Sequence, residues 1–233
     1  MKKLIKRLIG LIILASLCVG GFYTAMGYGM YRAKVAEQSI EDRIEKVRAD
    51  ANYTQFADVP EIFIDAIIAV EDSRFYKHSG VDIVALTRAM TANIRQKEFV
   101  QGGSTISQQF AKNLLFSHDQ NLSRKIAELF ATNYIEKNYE KDEILEAYIN
   151  VIYYGDGYYN IREASMGYFG VEPNDLTPYQ ATMLAGIPNA PSVYAPTKNL
   201  DLAQKRQDKV LDRMVDCGVI TQDEMDEILK DRR

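Results

Sequence analysis

Apolar positions along this chain form one uninterrupted run and then a series of helical repeats. Residues 8–31 (LIGLIILASLCVGGFYTAMGYGMY) carry no charge and lie between Arg7 and Arg32. At a rise of about 1.5 Å per residue, such a run spans a bilayer core of about 30 Å. Beyond it, apolar residues recur every three or four positions, which predicts helices and no convincing strand. Ile62, Ala66 and Val70 share a face after Asp58-Val-Pro60, and Leu86, Met90 and Ile94 follow a cap at Asp82. Ile106, Phe110 and Leu114 follow Ser104, an N-cap type preceded by Gly102-Gly103. Ile126, Phe130 and Tyr134 follow a cap at Ser123, and residues 141–152 continue the helical pattern. Thr177-Pro178-Tyr179-Gln180 is a capping box with Pro at the first helical position, and that helix stops at Gly186-Ile187-Pro188. Two helices follow, over 201–217 and 221–230, the first stopped by Gly218 and the second opened by Thr221 and Glu224. The expected fold class is mainly α.

Charge gives this pattern a direction. Lys2, Lys3, Lys6 and Arg7 precede the apolar run, so residues 1–7 are expected to stay in the cytoplasm. Residues 8–31 are then a transmembrane anchor, 32–57 a membrane-proximal stalk, and 58–233 a single exported domain. A cleaved signal peptide would have a shorter apolar region, roughly 7–15 residues. No Asp or Glu precedes Glu37, and five of the 28 Lys and Arg lie at or before Arg32. The remainder therefore carries 23 basic against 32 acidic residues, a net charge of −9, which argues against nucleic acid as a partner. Cys18 falls in the anchor and Cys217 near the C-terminus, so no intramolecular disulfide is expected and the domain must hold by core burial.

Three segments carry candidate chemistry. In GGSTISQQFAKN (102–113), Thr105, Gln108, Gln109 and Lys112 share a helix face opposite the apolar stripe. That face is either a solvated surface or one wall of a polar, anion-binding cleft. In AIIAVEDSRFYKHSGVD, Glu71-Asp72 ends an apolar helix, where a carboxylate is electrostatically ill placed. Either Asp72 accepts hydrogen bonds from the turn while Glu71 points to solvent, or a carboxylate here acts as acid or base. His78 reads as a structural hydrogen-bonder, and no metal-ligand spacing involves it or His118. In RKIAE, Glu128 lies one turn beyond Arg124, beside Lys125. Alone this is a surface salt bridge; with Lys112 it becomes a cradle for a pyrophosphate. Separated carboxylates beside cations suit glycosyl transfer from a diphosphate.

The segments VEDSRFYKHSGVD, GGSTISQQFAKNLL, RKIAELFATNYIEKNYEKDEILEAYINVIYYG and LTPYQATMLAGIPNAPSVYAPTKN, in this order, resemble the peptidoglycan glycosyltransferases. These are membrane enzymes with a lysozyme-like, two-lobed helical domain that polymerises lipid II. The resemblance implies that Glu71 is the catalytic base for the acceptor 4-hydroxyl, with inversion and release of undecaprenyl pyrophosphate. It implies a second catalytic carboxylate at Glu128. Asp72, Phe75, His78, Ser104, Thr105, Gln108, Gln109, Lys112, Asn113, Arg124 and Lys125 would bind substrate. No cofactor is required by the resemblance, although a divalent cation (Mg or Mn) is compatible with the pyrophosphate, with Glu128 as its candidate ligand. Implied partners are lipid II, the growing glycan strand, the bilayer and other cell-wall synthesis proteins. The segment from Ile83 to Gln101 would face the membrane, with Ile83, Val84, Met90, Ile94 and Phe99 in lipid contact or, equally, in the core. Gln120 departs from the family, which usually has Arg there to help hold the diphosphate. Asn160 stands where Gly is common, and Asn tolerates the left-handed conformation. The chain has no Ser-x-x-Lys site, so the resemblance is to monofunctional members without a transpeptidase.

Overall fold

The structure is a computed structural model that describes residues 2–96, 102–116 and 121–232. His118, Gln120 and Phe99, and with Gln120 the expected loss of a cation, lie outside the described residues. The described chain is helical, with one isolated bridge between Gly155 and Tyr158 and no strand. In order it forms α1 (Lys2–Glu37), α2 (Ile40–Arg48), α3 (Glu61–Glu71), α4 (Ile83–Gln96), α5 (Ile106–Leu115) and α6 (Leu122–Asn138). Then come α7 (Lys141–Ile149), α8 (Ile161–Phe169), α9 (Pro178–Gly186), α10 (Pro191–Tyr194), α11 (Leu200–Asp216) and α12 (Gln222–Leu229). One core joins them, with Phe63, Phe75, Phe110, Tyr148 and Tyr154 among its largest fully buried side chains.

α1 is long and apolar enough to cross a membrane, by length and composition. The expected stalk is not a free segment. Ser39 accepts from the Asp42 N–H to start α2, and Ile40 and Ile44 are each 1% exposed within the core. The globular unit therefore begins well before residue 58.

Several helix starts follow the sequence reading, because a side-chain oxygen must satisfy the first free N–H groups. Asp82 accepts from Val84 and Ala85, and the Thr177 and Thr221 capping boxes form. Two caps are corrected. Thr105 rather than Ser104 caps α5, in a reciprocal box with Gln108. Asn121 rather than Ser123 caps α6, accepting from the Arg124 N–H. Asn160 is a third correction: at φ −150° it is extended, and it caps α8 through the Glu163 N–H.

One apolar face differs from expectation, and a second settles between the two alternatives left open for it. On α6 the core-facing residues are Ala127, Ala131 and Ile135, while Phe130 meets tyrosines of α1. On α4, Ile83, Val84, Leu86, Met90 and Ile94 are all exposed and Ala89 is buried, so this helix does not give its large apolar residues to the core.

Candidate active site

Glu71 is the last residue of α3, and its carboxylate turns inward. Its side chain is only 9% exposed, so the solvent-facing alternative is excluded. Gln109, on α5, donates Nε2–H to Glu71 Oε2 at 2.7 Å. The Tyr148 hydroxyl, fully buried on α7, donates to Gln109 Oε1 at 3.4 Å. Burial first, and then the Glu71 charge, hold the Tyr148 phenol well above its usual 10.0, so it keeps its proton. Glu71 Oε1 is buried without a hydrogen-bond partner.

Among the described residues, the nearest cation to that oxygen is one the sequence reading missed. Arg206, on α11, places Nη2 3.7 Å from Glu71 Oε1. Its Nε–H donates to the Gly186 carbonyl at 3.1 Å, and the guanidinium lies 5.8 Å from the Tyr194 ring centroid. Burial lowers its pKa from the ordinary guanidinium range, against Glu71 and Tyr194 acting upward. The only hint in the sequence was an Arg on the inward side of an amphipathic helix, 135 positions from Glu71.

The neighbouring residues form a frame. Asp72, 6% exposed, accepts from the Ile106 N–H through Oδ2 at 3.1 Å and faces His78 Nε2 at 2.9 and 3.0 Å. Phe75 is fully buried, with the Lys141 ammonium 4.4 Å from its ring centroid. Thr105 donates to the Gly80 carbonyl at 2.7 Å while capping α5. Gly80 must be glycine: it has φ +88°, and a Cβ there would lie 2.8 Å from Thr132 Cγ2. The side chains of Asp72, Phe75, Thr105 and Gln108 are thus buried in contacts within the fold, while His78, held by Asp72 through Nε2, keeps a buried Nδ1 without a hydrogen-bond partner. They hold Glu71 and Gln109 in register.

The second cluster sits on α6. Glu128 is 1% exposed, between Arg124 Nη1 at 2.9 Å and Lys125 Nζ at 3.1 Å. Lys125 also donates to Ser104 Oγ at 3.0 Å, which joins the α6 cluster to the entry of α5. Although Glu128 Oε1 is close to Arg124, it is out of line for a hydrogen bond, and Arg124 Nε is buried and unpartnered. Glu71, Arg124 and Glu128 therefore supply three of the six buried, unpartnered side-chain atoms among the described residues. Native interiors rarely tolerate such atoms without a purpose.

Lys112 links the clusters. Burial lowers its pKa from 10.5; Glu128 and Glu71 act upward, Lys125 and Arg124 downward. It therefore shares one electrostatic neighbourhood with both carboxylates, yet among the described residues no carboxylate lies within 4.0 Å of its ammonium. Asn113, the next residue, is exposed.

Two places carry residue types that could hold a metal ion. Asp72, His78 and Asp82 bring ligand atoms within 4.8 Å of one another. Asp82, however, accepts from Arg74 Nε through one oxygen and from Val84 and Ala85 N–H through the other. Burial alone would raise the Asp82 pKa, but the Ala85 bond, Arg74 and the Val84 bond together lower it, so this is a satisfied clasp. At Glu128, a dication would meet one carboxylate already paired with two cations, which is a poor donor set for Mg or Mn.

Residues 37–215 match the family described as transglycosylase. A Cupriavidus necator protein that carries a transglycosylase name is 38% identical over 226 residues, 97% of this chain and 96% of its own. Penicillin-binding protein 1A/1B of Bacillus subtilis is 40% identical over 200 residues, 85% of this chain and 21% of that protein. Penicillin-binding protein 1F of the same organism is 36% identical over 231 residues, 94% of this chain and 32% of its own. The crystal structure of penicillin-binding protein 1A from Haemophilus influenzae is 26% identical, with a TM-score of 0.46, covering 77% of this chain and 17% of that one. The chain thus spans between 21% and 32% of the two penicillin-binding relatives from Bacillus subtilis. With most of its length inside the family match and a relative aligned nearly end to end, the chain belongs to the transglycosylase family.

Proposed function

We propose that this protein is a membrane-anchored glycosyltransferase that polymerises lipid II into glycan strands, with its catalytic domain on the extracytoplasmic face. The observation that carries the reading is a half-satisfied carboxylate and an unpaired cation in one electrostatic neighbourhood. Glu71 has one oxygen fixed by Gln109 and one without a hydrogen bond, 3.7 Å from Arg206, and Lys112, near Arg124 and Lys125, has no carboxylate within 4.0 Å among the described residues. The free Glu71 oxygen takes the proton from the acceptor 4-hydroxyl as O4 forms its bond to C1 of the donor chain. The C1–O bond to the diphosphate breaks on the opposite side, inverting the anomeric centre, and its electron pair leaves with undecaprenyl pyrophosphate. Lys112, Arg124 and Lys125 neutralise that leaving group, while Glu128 holds the latter two in place. No metal ion is needed for any of these steps. The exposed apolar residues of α4 suit a membrane surface on the lipid-entry side.

A lysozyme-like hydrolase would also use two carboxylates, but it would have no use for three cations in the cleft. Labelled lipid II separates the readings: growing polymer supports transfer, and degradation of preformed polymer supports hydrolysis. Glu71→Gln preserves an acceptor for Gln109 and removes the base, so polymerisation should fall by about 10²–10⁴ with the fold intact. Activity within tenfold of wild type would sink the assignment. Running the assay with and without divalent cation reads the metal question directly.

A further inference from the structure

We infer that the apolar N-terminal helix is a rigid seat for the diphosphate-binding helices rather than a tether, with Gly27 as the positioning residue. This rests on the functional reading above. α1 runs unbroken from the apolar run into its exposed end at Glu37. Gly27 is buried against α6: a Cβ there would lie 2.6 Å from Ile126 Cγ2, 2.7 Å from Ile126 Cβ and 2.9 Å from the Ser123 carbonyl. No larger residue fits without moving the α6 backbone. Around this notch Ser123 Oγ approaches Met26 Sδ at 3.9 Å, and Tyr28 and Tyr31 pack on Phe130 with centroids 5.2 and 6.1 Å apart. Arg43 completes the attachment. It donates to the carbonyls of Lys34 and Gln38 on the anchor side and to Leu114 at the end of α5. Both helices that carry cleft cations, α5 with Lys112 and α6 with Arg124 and Lys125, are therefore fixed to α1.

The seat also sets a height. Counting from Arg7, the last cation before the apolar run, about 20 helical residues cross a core of about 30 Å, which brings the outer boundary to Gly27. Ile126 meets Gly27 at that level, and Arg124, Lys125 and Glu128 flank Ile126 in sequence. The cradle is thereby held at the plane where a lipid-linked diphosphate presents its charge, so the substrate need not leave the bilayer.

The test uses the full chain in bilayer nanodiscs with labelled lipid II. Gly27→Leu should raise KM roughly ten- to hundredfold, the scale on which small displacements of binding groups cost activity. The control Gly29→Leu, at a glycine of α1 where an added Cβ meets nothing within 4 Å, should leave KM within about threefold of wild type. A variant carrying Met26→Cys and Ser123→Cys, with Cys18→Ser and Cys217→Ser, should cross-link within one chain under mild oxidation and keep its activity once linked. Wild-type KM in Gly27→Leu, a Gly29→Leu variant as impaired as Gly27→Leu, or failure of the cysteine pair to link would each overturn the seat. If the wild type makes no polymer, the functional reading fails instead. The cross-link still decides whether the seat forms.

Discussion

Replacing Lys112 with Met should make the protein more stable and less active at once. The Lys112 ammonium is partly buried, has no carboxylate within 4.0 Å among the described residues, and is pushed by Lys125 and Arg124. Burial outweighs Glu128 and Glu71, so its pKa lies below 10.5 when the chain is folded. A depressed lysine pKa means that the unfolded chain binds the proton more tightly. The charge therefore destabilises the fold in full below the folded pKa, and stability rises as pH climbs through that value toward 10.5. Met fills a similar volume without the charge. Relief of such functional strain is commonly worth about 1–2 kcal/mol, a rise in the thermal midpoint of roughly 2–8 °C for a chain of this size. The same change removes a charge-assisted hydrogen bond to the leaving diphosphate, worth about 1.5–3 kcal/mol, or roughly 10- to 150-fold in kcat/KM. Thermal melts in detergent across pH 7 to 10, beside polymerisation kinetics on lipid II, read both effects. A lower midpoint with near-normal kcat/KM would refute the argument. It would mean that Lys112 is a structural cation. A variant that kept the wild-type gain in stability with rising pH would show that another group titrates there.

Other expectations follow from the same geometry. Lys112→Arg keeps its charge at high pH, so the alkaline decline in kcat/KM expected of wild type below pH 10.5 should move upward in the variant, measured by the pH–rate profile. Arg206→Gln should lower kcat roughly ten- to hundredfold with little change in KM, because Arg206 faces Glu71 and not the diphosphate cluster; an effect confined to KM would contradict this. Thr105→Val removes both the cap on the Gln108 N–H and the bond to the Gly80 carbonyl, so it should destabilise by about 1–3 kcal/mol in denaturant titration.

Much of the helical order is legible in local chemistry. Thr177, Thr221 and Asp82 cap the helices expected of them, since a cap depends on residues three positions apart. The adjacent acids Glu71 and Asp72 also divide as one local alternative allows for Asp72, which accepts from the turn, from His78 and from the Ile106 N–H. Where two neighbours could each cap, as with Ser104 and Thr105, the decision came from a distant group, the Gly80 carbonyl that takes the Thr105 hydroxyl.

The sequence by itself determined the all-helical class, the apolar span of α1, and a set of carboxylates, amides and cations suited to a diphosphate. These follow from periodicity and residue type, which are local properties. Only the tertiary structure decided which polar residues are paired and which are not. Packing fixed Asp72, Phe75, Thr105 and Gln108 in buried contacts, and left buried atoms of Glu71, His78, Arg124 and Glu128 without hydrogen-bond partners. It also brought Arg206 to Glu71 and Gly27 to Ile126. Those pairs are separated by 135 and 99 positions, and no helical period relates residues that meet only when separate helices pack.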